Sequence, residues 1–412
     1  HVAFATGALL LFAEGGWLYR VCSVCSPPAD RYGIGLGLTM AIKESGFLLW
    51  AIYGLLSEKR LAEQATVLKS QGYGLWQCLN WLILPTLLPS LAIVMVATTA
   101  WSLSTVDVAL VIGPGNPPTL AVLAWQWLNQ GDDMQQAKGA LASLLLLLIL
   151  GGVLVCAWGG WRLWQRQIPD LRGIRRPQPR ALAGRLLAIG LPLSGLLCAL
   201  LLAALAQSAS PLNDSLANSL GLALLASLAG ALVCLLWLEC GPSRGDSWVW
   251  LPLVLPALPL ADGQYQLALY TWQDGQFATV LWGHLLWVVP WMLFVLRPAW
   301  RHRDPRLELV ARTLGWGRWQ RVWRVKLPML VRPLLMALAV GFSVSIAQYL
   351  PTLWLGAGRT PTLTSEAVAL SSGGDTQTLA AQALWQLLLP AMVFSLTALL
   401  AWLAGRYRQG LR

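Results

Sequence analysis

Six ionisable or amide side chains lie inside or beside long apolar runs of the sequence. They are Glu14, Lys43, Glu44, Asp107, His284 and Gln348. A charge in such a run is costly in lipid and usually faces a polar cavity or an oppositely charged partner. The set therefore predicts either the lining of a polar path or, for Lys43 and Glu44, an internal ion pair that fixes helix packing.

The sequence lacks the patterns that catalysis would need. No paired carboxylates, nucleophile–base pair or cluster of metal ligands recurs in a reachable loop. The glycine-rich stretches at 33–37 and 113–115 carry no lysine, so neither is a G-x-x-x-x-G-K-[ST] phosphate loop. We therefore expect a chain that is not an enzyme, binds no metal and has no cofactor of its own.

The composition is typical of a membrane protein. Of the 412 residues, 57% are hydrophobic and 11% are charged, whereas soluble domains carry about 25% charged residues. The stretches 140–161 and 186–206 contain no charged residue. Because about 20 apolar residues form a helix that crosses a bilayer, these stretches argue against a large soluble helical protein.

Hydropathy predicts an all-α, polytopic bundle of transmembrane helices. The ten predicted spans are 2–19, 34–56, 82–104, 139–161, 186–206, 216–238, 248–270, 277–297, 329–351 and 381–404. The seventh is interrupted by prolines. If the spans alternate, 23 of the 29 Lys and Arg residues fall on one side, which the positive-inside rule identifies as the cytoplasm. The net charge of +11 therefore indicates topology rather than nucleic-acid binding.

An internal duplication is the strongest pattern in the sequence. A shift of 243 residues aligns Gly72, Gly74, Trp76, Gln77, Leu84 and Pro85 with Gly315, Gly317, Trp319, Gln320, Leu327 and Pro328. The same shift aligns Gly113, Gly115, Pro118, Thr119 and Leu120 with Gly356, Gly358, Pro361, Thr362 and Leu363. Matching loops fall on the same predicted side, which indicates parallel halves related by an axis along the membrane normal.

The repeat predicts how the chain is organised. We expect a first half at 1–161, a basic cytoplasmic linker with seven arginines at 162–185, and a second half at 186–412. Subtracting the offset puts the start of the first copy about 57 residues before residue 1. The first half is therefore expected to lack its first two spans here, and a complete half is expected to have six.

The repeated loop has a distinctive spacing. In both copies a glycine precedes the proline of a Leu-Pro pair by thirteen residues, as Gly72 precedes Pro85 and Gly315 precedes Pro328. This spacing resembles the EAA loop of ABC importer permeases, in which E-A-A is followed after three residues by Gly and after nine more by I-x-L-P. Fused double permeases of the ferric-iron and thiamine uptake type are the most similar members.

The acidic head of the loop departs from that pattern. In register with the glycine, the E-A-A positions hold Thr-Val-Leu at 66–68 and Leu-Val-Ala at 309–311, so only Ala311 fits. Glu63 and Glu308 are displaced from the family position. The glycine-to-proline spacing therefore carries the resemblance, and neither glutamate does.

The resemblance implies a MetI-like permease, multi-pass in a bacterial inner membrane, that translocates a small solute such as iron or thiamine. In that family the loops dock on two copies of a cytoplasmic ABC ATPase, which bind and hydrolyse ATP with Mg. A periplasmic solute-binding protein is the other implied partner, and nucleic acid is not one. The implied docking residues are Glu63, Ala65, Gly72, Leu84, Pro85, Glu308, Ala311, Gly315, Leu327 and Pro328.

Two other functional classes remain open on the sequence. An ion-coupled secondary transporter with parallel halves is favoured by Lys43, Glu44 and His284. Against it stand the duplicated loop and the absence of any intramembrane charge that is repeated in both halves. A membrane enzyme or assembly scaffold ranks last, because the catalytic patterns are missing.

Two local patterns are open to two interpretations each. Arg318, Arg321 and Arg324 recur every three residues, which predicts either contact with an acidic ATPase surface or ordinary positive-inside charge. Cys22 and Cys25 form a C-x-x-C pair, and a disulfide is one possible outcome if they lie outside the membrane.

Overall fold

The computed structural model describes residues 2–12, 18, 30–58, 61–168, 182–206, 213–241, 246–301, 303–373 and 375–406. This part of the chain contains helices and turns but no strand, which confirms the predicted all-α class. Glu14, Cys22, Cys25 and most of the basic linker lie outside the described residues. The chain forms two compact units.

The first unit comprises Ala3–Ala204 and Leu253–Leu260. Its helices are α1 (Val2–Phe12), α2 (Ile34–Glu58), α3 (Leu61–Ser70), α4 (Leu75–Cys78), α5 (Leu84–Leu103), α6 (Asp107–Ile112), α7 (Leu120–Leu128), α8 (Asp133–Gln165) and α9 (Leu182–Leu205), with a π-helical segment, π1 (Leu79–Ile83), between α4 and α5. The long helix α5 packs against α2 and α8, and the short α7 packs along α8.

The second unit comprises Leu205–Pro252 and Ala261–Arg412. The elements that follow α9 are α10 (Asn213–Cys240), a 3₁₀ turn (Asp246–Trp250), α11 (Leu251–Val254), α12 (Ala257–Tyr270), α13 (Phe277–Arg301), α14 (Pro305–Thr313), α15 (Arg318–Arg321), the π-helical segment π2 (Val322–Lys326), α16 (Leu327–Ile346), α17 (Leu350–Gly356), α18 (Leu363–Ser371) and α19 (Thr376–Arg406).

The core of the second unit is built where α10, α13 and α16 meet. Met292 of α13 is fully buried there. Its sulfur lies 2.8 Å and 2.6 Å from the positions that a Cβ would take on Gly230 and Gly341. Small residues let helix backbones approach closely within a membrane, so these two glycines make room for the Met292 side chain between α10 and α16.

Six helices of the described part are long and apolar enough to cross a membrane. They are Leu75–Leu103, Asp133–Gln165, Asp214–Cys240, Phe277–Arg301, Arg318–Ile346 and Thr376–Ala404. Helices α2 and α9 cover two further predicted spans, and α1 covers residues 2–12 of the first. The predicted span 248–270 is divided into the 3₁₀ turn, α11 and α12, as its prolines indicated.

Several spanning helices extend beyond their predicted bounds. Helix α8 begins at Asp133, six residues before the predicted span at 139. Asp132 caps it, because its side chain accepts a hydrogen bond from the Met134 backbone N–H. A polar capping residue satisfies the free N–H groups of a helix end, so the helix starts in polar sequence that hydropathy assigns to a loop.

The offset of 243 residues also relates the elements of the two units. Helix α4, π1 and the first residue of α5 match α15, π2 and the first residue of α16 residue for residue. Helix α7 likewise matches α18, and Thr119 and Thr362 cap these two helices. The sequence repeat therefore corresponds to a repeat of local structure.

Candidate functional site

Each unit contains a loop that turns sharply at a glycine. The first elbow loop, residues 61–85, contains α3, Gly72, α4 and π1, and the second, residues 305–328, contains α14, Gly315, α15 and π2. The φ angle is 95° at Gly72 and 78° at Gly315, a region that glycine adopts without the steric cost of a Cβ. Each glycine therefore lies at the turn between two helices of its loop.

A glutamine caps the helix that follows each elbow. The Gly74 N–H donates to Gln77 Oε1 at 2.9 Å, and the Gly317 N–H donates to Gln320 Oε1 at 3.1 Å. The first N–H groups of a helix have no partner within the helix, so this bond, which is the glutamine half of a capping box, helps to fix where the helix starts. Both glutamines belong to the sequence repeat, but their capping role was not predicted.

The Leu-Pro pair lies within a continuous helix. Helix α4 runs through π1 into α5 without interruption, and α15 runs through π2 into α16. Pro85 and Pro328 have no N–H, and a proline ring crowds the carbonyl four residues earlier. The wider π turn before each proline accommodates that ring, and π turns are frequent at functional sites. The bend of each loop is therefore at the glycine, and Leu84 and Leu327 are the first residues of α5 and α16 within the continuous spanning helices.

Apolar packing holds the first elbow loop together. Leu61, Ala65, Tyr73 and Cys78 are all buried. The Cys78 sulfur lies 4.0 Å from the carbonyl oxygen of Ala65, which connects α4 to α3. The ring of Tyr73 meets Trp81 edge to face, with 6.3 Å between ring centroids.

A buried lysine holds the second elbow loop together. Lys326 is the last residue of π2, and its side chain is 7% exposed. Its ammonium lies 2.6 Å from Glu239 Oε2 and 3.2 Å from Glu308 Oε1. Glu239 lies at the end of the spanning helix α10, and Glu308 lies in α14. One cation therefore joins π2 to a spanning helix and to the loop helix.

The end of α13 joins the same cluster through a tryptophan. The Trp300 ring centroid lies 3.7 Å from the Arg303 guanidinium and 5.3 Å from the Lys326 ammonium, and cations are attracted to aromatic faces at such distances. Burial lowers the pKa of Arg303, and the charges of Glu308 and Glu239 oppose that shift. We call Glu239, Trp300, Glu308 and Lys326 the lysine hub. It was not predicted; a lysine directly before Leu-Pro is its only sequence signal.

All three regularly spaced arginines have partners within the protein. Arg318 donates to Glu239 Oε1 at 3.1 Å and also to the Glu239 backbone carbonyl. Arg321 lies 4.0 Å from Glu308 Oε1, and the exposed Arg324 has its guanidinium 5.5 Å from the Trp316 ring centroid. Because α15 gives way to π2 after Arg321, the three arginines do not follow a single α-helical face as their spacing suggested.

Both loops expose apolar side chains. The first patch is Val67, Leu75 and Trp76, and the second patch is Leu309, Val310, Leu314, Trp319 and Trp323. Trp76 and Trp319 are equivalent by the offset and are 60% and 53% exposed. Exposed apolar patches mark sites of interaction with other molecules. Trp76 and Trp319 lie in the first turn of the continuous helices Leu75–Leu103 and Arg318–Ile346.

The implied docking residues differ in where their side chains lie. Ala65 and Ala311 are buried and pack the loop helices against the rest of each loop. Glu63 is exposed, whereas Glu308 pairs with Lys326. The displaced glutamates therefore have different environments in the two loops.

The first unit brings three of the predicted path residues together. The Lys43 ammonium lies 2.9 Å from Glu44 Oε1, and these side chains are 12% and 15% exposed. These two adjacent residues of α2 therefore form an ion pair. Asp107 is 5% exposed, its Oδ2 has no hydrogen-bond partner among the described residues, and its charge interacts with that of Lys43.

In the second unit, His284 lies between two hydroxyl groups. Its Nδ1 lies 2.8 Å from Ser345 Oγ, and its Nε2 lies 2.9 Å from Thr352 Oγ1. Thr352 donates its own hydroxyl to the Gln348 carbonyl at 3.2 Å, so it accepts from Nε2–H, and Nδ1 accepts from Ser345. Within the described part of the chain, no three His, Cys, Asp or Glu side chains are placed to hold a metal ion.

Two comparisons with known proteins bear on these loops. The family model described as "Binding-protein-dependent transport system inner membrane component" matches residues 228–409, which include the whole second elbow loop. The chain is also similar to the inner membrane ABC transporter permease protein YnjC of Escherichia coli (strain K12), with 60% identity over all 412 residues. That similarity covers 81% of the relative and includes both loops.

Proposed function

The chain belongs to the ABC transporter permeases of the binding-protein-dependent, inner-membrane type, and we propose that its two elbow loops are docking surfaces for two copies of a cytoplasmic ABC ATPase. The family membership confirms the predicted resemblance, the importer-permease function and the multi-pass membrane location. It also favours this function over the ion-coupled alternative.

The observation that carries the docking proposal is that one backbone occurs twice. A positive-φ glycine, a glutamine-capped helix and a π turn before Leu-Pro recur at the same offset. The residues that pack inside the two loops differ, as Cys78 and Arg321 show at equivalent positions. The two loops therefore keep the same backbone shape although their internal contacts differ. A partner that binds both loops with the same surface requires this shared shape.

The two patches supply the contact chemistry. Trp76 and Trp319 extend from equivalent positions and are largely exposed. Tryptophan is enriched among the residues that dominate binding energy at protein interfaces. We propose that each tryptophan inserts into a groove of one ATPase subunit, with Val67 and Val310 beside it.

The chemistry of ATP hydrolysis belongs, in this proposal, to the partner. ATP and Mg bind to the ATPase, and this chain converts the resulting movement into translocation. A solute-binding protein is the second partner, and the turns at 113–119 and 356–362 are its proposed contact surface on the outer side. The division into halves at 1–161 and 186–412, joined by the basic linker, remains a prediction.

A path through the membrane is proposed for the buried polar residues. Lys43, Glu44 and Asp107 support it in the first unit, because buried ionisable groups in spanning proteins usually serve function. His284 and Gln348 are the candidates in the second unit. We expect Asp107→Asn to reduce solute uptake while the amount of bound ATPase stays unchanged, and equal uptake by the variant would contradict the assignment.

The docking proposal is tested by replacing both elbow glycines. In the full-length protein co-expressed with a candidate ABC ATPase subunit, we expect the Gly72→Val, Gly315→Val variant to lose at least nine-tenths of the copurified ATPase. Valine is β-branched and is a severe outlier at positive φ, whereas asparagine adopts this region more readily. The matched Gly72→Asn, Gly315→Asn variant should therefore retain most of the ATPase.

Two results would contradict the docking role. One is a valine variant that binds the ATPase and couples hydrolysis to uptake as the parent does. The other is uptake into ATP-free vesicles that is driven by an ion gradient alone.

A further inference from the structure

The lysine hub occurs in only one of the two elbow loops. The offset places Ala65 at the position of Glu308, Cys78 at that of Arg321 and Ile83 at that of Lys326. Three charged positions of the second loop are therefore uncharged in the first. The shared docking role proposed above does not account for this difference, because both loops have the same backbone turn.

The lysine hub connects two helices through a single side chain. Lys326 contacts carboxylates from two separate helices, at 2.6 Å on α10 and at 3.2 Å on α14. The same ammonium lies over Trp300 at the end of α13. Any movement of α14 away from α10 must stretch one of these contacts, because a single ammonium makes both.

Burial makes separation of these groups unfavourable. The side chains of Lys326 and Glu239 are each 7% exposed. Removing one partner of a buried ion pair leaves the other charge uncompensated, and this is strongly destabilising. The second elbow loop is therefore held to the end of α10 even when a force acts on the loop.

We infer that Lys326 is a positioning residue that makes the second elbow loop move as one body with the ends of α10 and α13 when the ATPase shifts the loop. This inference rests on the docking role proposed above. The first loop has no such link at the equivalent position, so movement of the two ATPase subunits is transmitted to the two units through different contacts.

The inference is tested by measuring the distance between α10 and α14 in the assembled complex. Cys240, the last residue of α10, and Arg312, in the last turn of α14, are both exposed. A spin-label pair is placed on Cys240 and on Arg312→Cys in a full-length protein whose other cysteines are replaced. Distances are recorded in nanodiscs with the ATPase bound, first without nucleotide and then with Mg and ATP under non-hydrolysing conditions.

We expect one narrow distance distribution in the parent, at the same position in both states. With Lys326→Met, we expect the distribution to shift or at least double in width when ATP is added. Glu308→Gln changes a partly exposed residue and removes the carboxylate that α14 offers to Lys326 and Arg321, while the bond between Lys326 and Glu239 stays in place. This variant should show the same nucleotide dependence as Lys326→Met. Lys326→Arg should restore the parent behaviour, and Ile83→Met in the first loop should leave it unchanged.

The outcomes separate this inference from the docking proposal. If the parent fails to copurify with the ATPase, the docking proposal fails and the inference fails with it. If the ATPase binds the parent and the variants equally, and Glu308→Gln and Lys326→Met give the parent distribution in both states, only the inference is overturned. A parent distance that changes on addition of ATP overturns it as well, because the loop and α10 would then not move together.

Discussion

The two elbow loops have the same backbone but are held together by different chemistry. The first contains a buried contact between Ala65 and Cys78, and the second contains Glu308 beside Arg321 at the equivalent positions. The glycine turn, the glutamine cap and the π turn are common to both. Features that a repeated partner surface needs are thus kept, while the contacts beneath that surface differ.

The difference shows which contacts can be exchanged. A buried ion pair and a well-packed apolar contact of similar volume stabilise a protein to a similar extent. A buried charge without its partner is far less favourable, so the members of an ionic cluster must change together. The comparison therefore predicts that single exchanges between the loops are destabilising and that paired exchanges are less so.

The largest effect is expected when one charge is moved into the apolar loop. Ala65→Glu places a carboxylate where the native side chain is buried, and we expect the free energy of unfolding to fall by about 3 kcal/mol. Addition of Ile83→Lys supplies the ammonium that Lys326 supplies in the second loop. The free energy of unfolding of the double variant should lie about 1 kcal/mol or more above the value obtained by adding the two single effects, because charges in contact are coupled.

Unfolding followed by tryptophan fluorescence in nanodiscs measures these stabilities, with Ala65→Ser as the control for size. If the effects of Ala65→Glu and Ile83→Lys on the free energy of unfolding simply add, the two introduced side chains are not in contact as Glu308 and Lys326 are. The interiors of the two loops would then not be structurally equivalent.

A smaller effect is expected from removing the two exposed tryptophans, and it should be equal in the two loops. Trp76→Ala and Trp319→Ala should each weaken ATPase binding by about 2 kcal/mol, the threshold effect of a hot-spot residue, or roughly 30-fold in Kd. Stability should change by less than about 0.5 kcal/mol, because both side chains are exposed. Titration of the purified ATPase onto nanodiscs measures the Kd.

Trp158→Ala provides the control, since Trp158 is exposed on the spanning helix α8, outside both loops. A loss confined to one of the two loop variants would show that the ATPase subunits recognise the loops differently. The two loops would then differ in their ATPase-binding surfaces as well as in their internal contacts.

The sequence predicted the repeated glycine and Leu-Pro positions of the loops, but it missed the shared glutamine caps and π turns and the contacts that differ. The turns at Gly72 and Gly315 depend on local spacing, which a repeat makes visible. The bond between Lys326 and Glu239 joins residues that are 87 positions apart, and neither residue belongs to a recognisable pattern. Long-range pairs of this kind depend on helix packing, which hydropathy does not specify.

The buried polar residues show the same limit. For Lys43 and Glu44, an internal ion pair was one of the two interpretations of the sequence. The hydroxyl partners of His284 were not predicted, because Ser345 and Thr352 are common residue types 61 and 68 positions away. Sequence alone therefore identified the residues that needed a partner but not the residues that supply it.

The smallest effect is expected at the helix caps, where the two loops are most alike. Gln77→Ala and Gln320→Ala each remove a side chain that accepts from a glycine N–H at 2.9 Å and 3.1 Å, and we expect each to cost about 1 kcal/mol. Glutamate keeps the acceptor and places a negative charge near a helix N-terminus, which is favourable, so Gln77→Glu and Gln320→Glu should restore stability. The same unfolding measurement applies. Equal costs in both loops would support a common backbone role, whereas a cost in the first loop alone would show that the lysine hub makes the cap dispensable in the second.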